Sequence, residues 1–188
     1  GLGDVYKRQA NMRQAECISD SIYKSRCLKR LRELGLPTEG WVCEWIEDTD
    51  EPEAVCELCG CARVRFLHHM RHPMVGHTIA VGCLCDGIMS GDELGAYERE
   101  SEARNRARRR QTFIHGKWTP SWQSPHSTRW EKKMRGGPTC VIRQDADGRY
   151  AVWHGGRWCY RCRGQEMTTF DQAASALFTA NDPKRRQT

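Results

Sequence analysis

Two short cysteine steps constrain this chain more than any other feature. Cys56-Glu57-Leu58-Cys59-Gly60 is followed by a strand-like RVRFLHH, a second apolar run HTIAVG, and then Cys83-Leu84-Cys85. Sulfurs spaced this closely along the chain do not suit a conventional disulfide ladder. In a reduced compartment, Cys-x-x-Cys and Cys-x-Cys steps read as metal ligands. The total of eleven cysteines in 188 residues is odd, and it lies below the density of small secreted scaffolds. The glycine after Cys59 permits a tight knuckle whose thiolates converge. A second pair beyond a hairpin then completes a tetrahedron of sulfurs about 2.3 Å from Zn²⁺. Cys56, Cys59, Cys83 and Cys85 are the expected ligands, and residues 41–90 the expected zinc-binding module.

The order of knuckle, hairpin, ligand pair and helix over residues 55–90 resembles a treble-clef zinc finger. That family commonly has Cys-x-x-Cys as its second pair where this chain has Cys-x-Cys. Cys61 or a histidine therefore stands as the alternative to one of Cys83 and Cys85. The same stretch resembles an HNH endonuclease, whose hairpin carries a hydrophobic-His-His step, here Leu67-His68-His69. This second resemblance implies a water activated by His69 attacking a metal-bound phosphate, with His68 as a metal-ligand candidate. The asparagine of that family is missing from TIAVG. Its final-helix histidine is missing from CDGIMSG, which offers Asp86 instead. Neighbouring residues on a strand face opposite ways, so at most one of His68 and His69 points into a site. The expectation is a zinc that stabilises and does not catalyse, with the endonuclease as the alternative reading.

Charge is segregated along the chain. Residues 1–103 carry 12 Lys and Arg against 18 Asp and Glu, whereas residues 104–188 carry 18 against 6. The net +6 therefore hides a basic C-terminal half of +12, which favours a polyanionic partner. Arg104, Arg106, Arg108, Arg109 and Arg110 place five guanidinium groups within seven residues. Each can neutralise a phosphate, a source of salt-dependent and sequence-independent affinity. Lys117, Trp118 and Trp122 continue the run, and basic residues interleaved with Trp suit backbone tracking with base stacking. The alternative is that Trp118 and Trp122 anchor this connector to a core.

Periodicity divides the chain further. An amphipathic helix over about 13–35, with Ile18, Ile22, Leu28 and Leu31 recurring near helical spacing, is stopped by Gly35 and Pro37 and dominates residues 10–40. The WVCEWI segment alternates, placing Trp41, Cys43 and Trp45 on one strand face. The EDTDEPE stretch reads as a solvated acidic turn. A charged helix runs from Asp92 to about Ile114, and a connector without periodicity follows at 115–130, so that 91–135 form a basic helix and Trp-rich connector. Residues 136–182 form a β-β-β-α unit. Its strands lie at 139–144, 149–154 and 157–163, and Thr169 caps a helix over about 171–180. The closing Thr169-Phe170-Asp171-Gln172-Ala173-Ala174 is similar to the end of the plant ethylene-response and phage integrase arm-binding domains. Those lay a three-stranded sheet in the major groove with a helix behind it. By that resemblance Arg143, Arg149, Arg157, Arg161 and Arg163 reach DNA, with Ala173, Ala174, Leu177 and Phe178 as core. Cys140, His154, Cys159 and Cys162 are candidates for a second zinc, against which Cys159 and Cys162 face opposite ways in a regular strand.

Residues 1–9 (GLGDVYKRQ) resemble a translated transposase adapter from sequencing-library preparation. They are set aside from fold reasoning, and residues 183–188 are read as a tail. No apolar run approaches the roughly 18 residues of a membrane span, and mean hydropathy is −0.76, so a cytoplasmic chain without membrane contact is expected. The whole resembles bacterial and phage zinc-finger proteins of no assigned activity. The expected architecture is α+β: an N-terminal helix, a treble-clef-like zinc module, an Arg-rich helix, and a small three-stranded sheet with one packed helix. The expected function is zinc-stabilised nucleic-acid binding, DNA ahead of RNA, in a phage, plasmid or mobile-element setting. An HNH-like metal-dependent endonuclease is the alternative. A protein-interaction adaptor using the acidic loop and exposed Trp is the second.

Overall fold

The computed structural model describes residues 21–134 and 137–182. They form an α+β chain in two units, Gly1–Arg104 and Asn105–Thr188, each with its own apolar core. Among the described residues no helix is long and apolar enough to cross a membrane. The sequence readings at Ile18 and residues 1–9, and the tail at 183–188, lie outside the described residues.

In the first unit, helix α1 spans residues 21–33. Gly35, at φ +67°, ends it: its N–H bonds to the Arg32 carbonyl at 3.0 Å and the Leu36 N–H to the Leu31 carbonyl at 2.9 Å. This pair of bonds satisfies the last carbonyls and lets Leu36 pack beside Leu31. The buried stripe of α1 runs through Cys27 and Leu31, with Tyr23 and Leu28 packed beside it. Ile22 is 48% exposed, so the inward face is rotated from the one that Ile18 and Ile22 suggest.

Strands β1 (Val42–Asp48), β2 (Phe66–Arg71) and β3 (Ile79–Val81) make an antiparallel sheet in that order. The expected alternation in β1 breaks at a bulge between Cys43 and Trp45. An extra residue there reverses the side-chain phase. Trp41 and Cys43 are buried, whereas Trp45 turns outward at 39% exposure. The short helix α2 (Cys83–Ser90) follows β3 directly and ends at Gly91, φ +71°. Helix α3 (Glu93–His115) starts where the Asp92 carboxylate accepts the Gly95 N–H at 2.9 Å. Acidic residues in its early turns and arginines later suit the helix dipole.

The second unit holds more sheet than expected. Strands β4 (Thr119–Ser124), β5 (Ser127–Lys133), β6 (Thr139–Asp145), β7 (Tyr150–His154) and β8 (Arg157–Cys159) form a five-stranded antiparallel meander instead of three strands. The segment 115–130, read as a connector, supplies β4 and most of β5. Its pattern concealed this. β4 is an edge strand exposed almost throughout, broken by a bulge between Pro120 and Trp122, and β5 is half-buried on both faces. Proline is tolerated at such an edge, and neither strand alternates. A two-stranded ribbon, β9 (Arg161–Cys162) with β10 (Gln165–Glu166), replaces the far end of the expected third strand.

Helix α4 (Phe170–Asn181) buries Ala173, Ala174, Leu177 and Phe178, and packs against β6 and β7. Its start is a capping box: Thr169 Oγ1 accepts the Gln172 N–H at 3.2 Å, and the Gln172 side chain accepts the Thr169 N–H. Thr169→Ala is expected to cost the second unit about 1 kcal/mol. Urea unfolding followed by far-UV circular dichroism measures this as a lower midpoint at unchanged slope.

Candidate metal centre and nucleic-acid interface

The knuckle is built by local backbone bonds. The Gly60 N–H reaches the Cys56 carbonyl at 2.8 Å, with Gly60 at φ +74°, and the Cys56 N–H reaches the Cys61 carbonyl at 2.9 Å. This turn sets the Cys56 and Cys59 sulfurs beside Cys85 in the first turn of α2, all three within 4.8 Å of one another. Cys56 Sγ and Cys85 Sγ are 3.6 Å apart, and the cysteines are free thiols. Sulfurs bound tetrahedrally at 2.3 Å stand about 3.8 Å from each other, so the spacing fits one ion.

Cys83 is not in this set. Residues two apart on an α-helix differ by about 200° around the axis, so a Cys-x-Cys step on α2 cannot aim both thiols at one point. Cys85 points in and Cys83 points to His68 and Glu100. Cys61, the alternative ligand, is exposed and lies outside the trio. The residue that approaches instead is Cys27 of α1, 3.9 Å from Cys85 Sγ though outside the mutually close three. The Tyr23 hydroxyl stands 3.1 Å from the same sulfur. Sequence spacing within residues 55–90 could not reveal Cys27. The available signal was Tyr23, Cys27 and Leu31 at four-residue steps on one helix face.

Hydrogen bonding to Cys85 holds the Cys56 thiol down at about 5 against its burial, and Cys27 at about 7. Cys85, bonded to both and buried, is pushed up. Three sulfurs mutually within 4.8 Å, with a fourth 3.9 Å from Cys85, form a donor set compatible with a metal ion.

The histidines diverge as strand geometry requires. His68 is fully buried, with Nδ1 2.6 Å from Asp86 Oδ2 and Nε2 3.4 Å from Glu100 Oε2. Arg99 Nη2 lies 3.0 Å from both Asp86 oxygens. Burial opposes a charge on His68, but Asp86, Cys43 and Glu100 outweigh it and raise its pKa to about 10. Burial likewise resists ionisation of Glu100, yet His68 and Arg104 bring its pKa down to about 2. His69, on the other face, stacks on Trp45 with ring centroids 4.3 Å apart and sits 2.9 Å from Glu47. It belongs to none of the groups close enough to share an ion among the described residues. His72 packs on Trp41, and its Nδ1 accepts the Met74 N–H at 3.1 Å.

The candidate nucleic-acid residues separate into engaged and open ones. Arg104 is bound to Glu100 and lies over the Phe66 ring. Arg106 and Arg109 pair with Asp182 at 3.5 and 3.2 Å. Arg110 is half-buried, while Arg108 and Lys117 are exposed. Trp118 is a core anchor: its Nε1 donates to the Ile114 carbonyl at 3.1 Å and its ring meets Phe113 and Phe170 edge-on. Trp122 is 52% exposed and sits across from Arg129.

Cross-strand register sorts the sheet. Trp130, Ile142, Val152 and Cys159 lie in line on the face that packs under α4. Trp122, Arg129, Arg143, Ala151, Trp153 and Trp158 occupy the other face. There Arg143 lies 4.5 Å over the Trp158 ring, bonds the Tyr160 hydroxyl, and has Trp153 edge-on to Trp158. Arg149 sits 6.0 Å from Tyr160 and is held by Asp145 and Asp147. The remaining expected DNA contacts lie elsewhere. Arg157 pairs across from His154 in the register of the α4 side, Arg161 faces Glu166, and Arg163 is in the β9–β10 turn at φ +52°. Cys140, Cys159 and Cys162 join the core and His154 is exposed, so these four do not form a metal-competent group among the described residues. Cys159 and Cys162 fall in different sheets. No family model, no curated protein and no solved structure matches this chain.

Proposed function

We propose that the protein binds nucleic acid, DNA ahead of RNA, through the face of the five-stranded sheet opposite α4, at its exposed Trp122 and Trp153. In this reading Zn²⁺ held by Cys27, Cys56, Cys59 and Cys85 stabilises the first unit. The observation that carries the binding surface is the Arg143 guanidinium stacked on Trp158, flanked by exposed Trp153 and, across the sheet, Trp122 beside Arg129. Rings with free faces stack on bases, and a guanidinium between them pairs with phosphate or guanine. The basic excess of +12 over residues 104–188 supplies long-range attraction. The major groove, about 12 Å wide, admits a two-stranded ribbon, so two neighbouring strands of this sheet at most would enter it together. An all-sulfur donor set selects zinc among the common divalent ions, and a closed thiolate set suits a structural role.

Affinity for duplex DNA is expected to fall steeply with salt, with a log–log slope of about −0.9 for each phosphate neutralised. Fluorescence anisotropy across a salt series checks this with a labelled duplex, a single strand and an RNA hairpin. Absence of salt-sensitive binding to all three at low ionic strength would overturn the reading. Preference for the single strand would retain the surface and replace groove entry by base stacking.

A further inference from the structure

We propose that His68, Cys83 and Glu100 form a second metal site, separate from the Cys56–Cys59–Cys85 thiols, that takes a divalent cation of the zinc class. One donor atom from each lies within 4.8 Å of the others. The imidazole is the decisive member. Its side chain is fully buried, its Nδ1 is committed to Asp86 at 2.6 Å, and its Nε2 has no hydrogen-bond partner among the described residues. Nε2 stands 3.4 Å from Glu100 Oε2, so without a formal hydrogen bond it faces the carboxylate and the thiol that an ion would bridge.

The surroundings divide the work as metal sites do. Asp86 accepts from Nδ1, which orients the ring, and a metal at Nε2 would displace the proton that His68 holds beside Glu100. Arg99, 3.0 Å from both Asp86 oxygens, keeps that carboxylate as an outer partner. The opposite side of the ring, toward Cys43 and Asp86, has its nitrogen in the 2.6 Å bond and a cation nearby, so it is not the binding side. Glu100 is likewise divided. Arg104 Nε donates to Oε1 at 2.8 Å, while Oε2 faces His68 at 3.4 Å. Imidazole, thiolate and carboxylate together suit zinc. Cys83 and Glu100 line a cavity of about 420 Å³ whose wall also includes Arg104 and the thiols Cys56, Cys59 and Cys85. Three protein donors leave the fourth position of a tetrahedral zinc for water or an anion. Cys83 and Cys85, on opposite sides of α2, thereby serve different centres.

The test uses the full chain loaded with zinc and freed of loosely held ion by gel filtration. The proposal expects two zinc ions per chain by elemental analysis, one of them lost in Cys83→Ser and in Glu100→Gln. Asp86→Asn should weaken the second zinc by about 10–100-fold. X-ray absorption at the zinc edge of the unaltered protein should show nitrogen or oxygen as well as sulfur around the metal, a readout that needs no variant to fold. A single zinc with an all-sulfur shell overturns the proposal, as do two zinc ions that Cys83→Ser does not reduce. A single zinc in a mixed shell, lost in Cys83→Ser, supports this site and removes the thiolate zinc, so the two assignments fail separately.

Discussion

Stripping metal from the full chain with a strong chelator is expected to unfold the Gly1–Arg104 unit. Structural zinc in small domains is bound with about 10–16 kcal/mol at neutral pH, whereas whole domains are stable by only about 5–15 kcal/mol. The core of this unit is built around the sulfurs. Cys27, Cys56 and Cys85 are among its most buried side chains, beside Leu31, Leu58 and Met89. On the proposed reading these sulfurs converge on one ion, so its removal would take away the cross-link that joins α1, the knuckle and α2. Cys85→Ser should act like the chelator, because Cys85 touches Cys27, Cys56 and the Tyr23 hydroxyl. Cys61→Ser, at an exposed thiol outside the set, should leave the unit folded. Hydrogen exchange read segment by segment measures the result. Protection retained in β2 and α2 of the metal-free protein would show that the sulfurs are merely buried thiols.

What the sequence disclosed follows how local each feature is. The knuckle at Cys56–Gly60 was legible because spacing, turn glycine and thiol chemistry sit within five residues. The Thr169 cap and the inward face Ala173, Ala174, Leu177 and Phe178 were legible for the same reason. Cys27 was not, since it reaches Cys85 from 58 residues away. Cys83 looked like a ligand because adjacent cysteines in sequence read as a pair, and only helical geometry on α2 separates them. Trp45 was misplaced by a bulge that no residue type announces. The β4–β5 hairpin escaped because an edge strand need not alternate, and its turn is closed by Ser124, whose Oγ accepts the His126 and Ser127 N–H groups at 3.2 and 3.1 Å. Arg104, Arg106 and Arg109 formed a basic run in sequence, yet each faces a carboxylate in the fold. Charge counting sees the cations and not their partners.

That redistribution of partners sets the second large effect. Trp122→Ala and Trp153→Ala should each reduce nucleic-acid affinity by about 5- to 150-fold, the range of about 1–3 kcal/mol for a ring stacked on a base. Both rings are already in solvent, at 52% and 43% exposure, so neither change opens the core. Arg143→Ala should weaken binding as well and alter sequence preference if the guanidinium reads a base edge. Arg108→Ala, at an exposed helix position, should weaken all sequences alike and reduce the salt slope by about one phosphate. Arg106→Ala and Arg109→Ala should change binding less, because these cations are occupied by Asp182. Trp118→Ala would mislead as a probe: its ring is wedged between Phe113 and Phe170, and its loss should unfold the second unit before affinity can be read. The decisive measurement is anisotropy on the double variant Trp122→Ala/Trp153→Ala, with circular dichroism showing the sheet intact. Affinity equal to that of the unaltered protein would remove the sheet face opposite α4 as the binding surface and leave exposed cations such as Arg108 and Lys117 as its replacement.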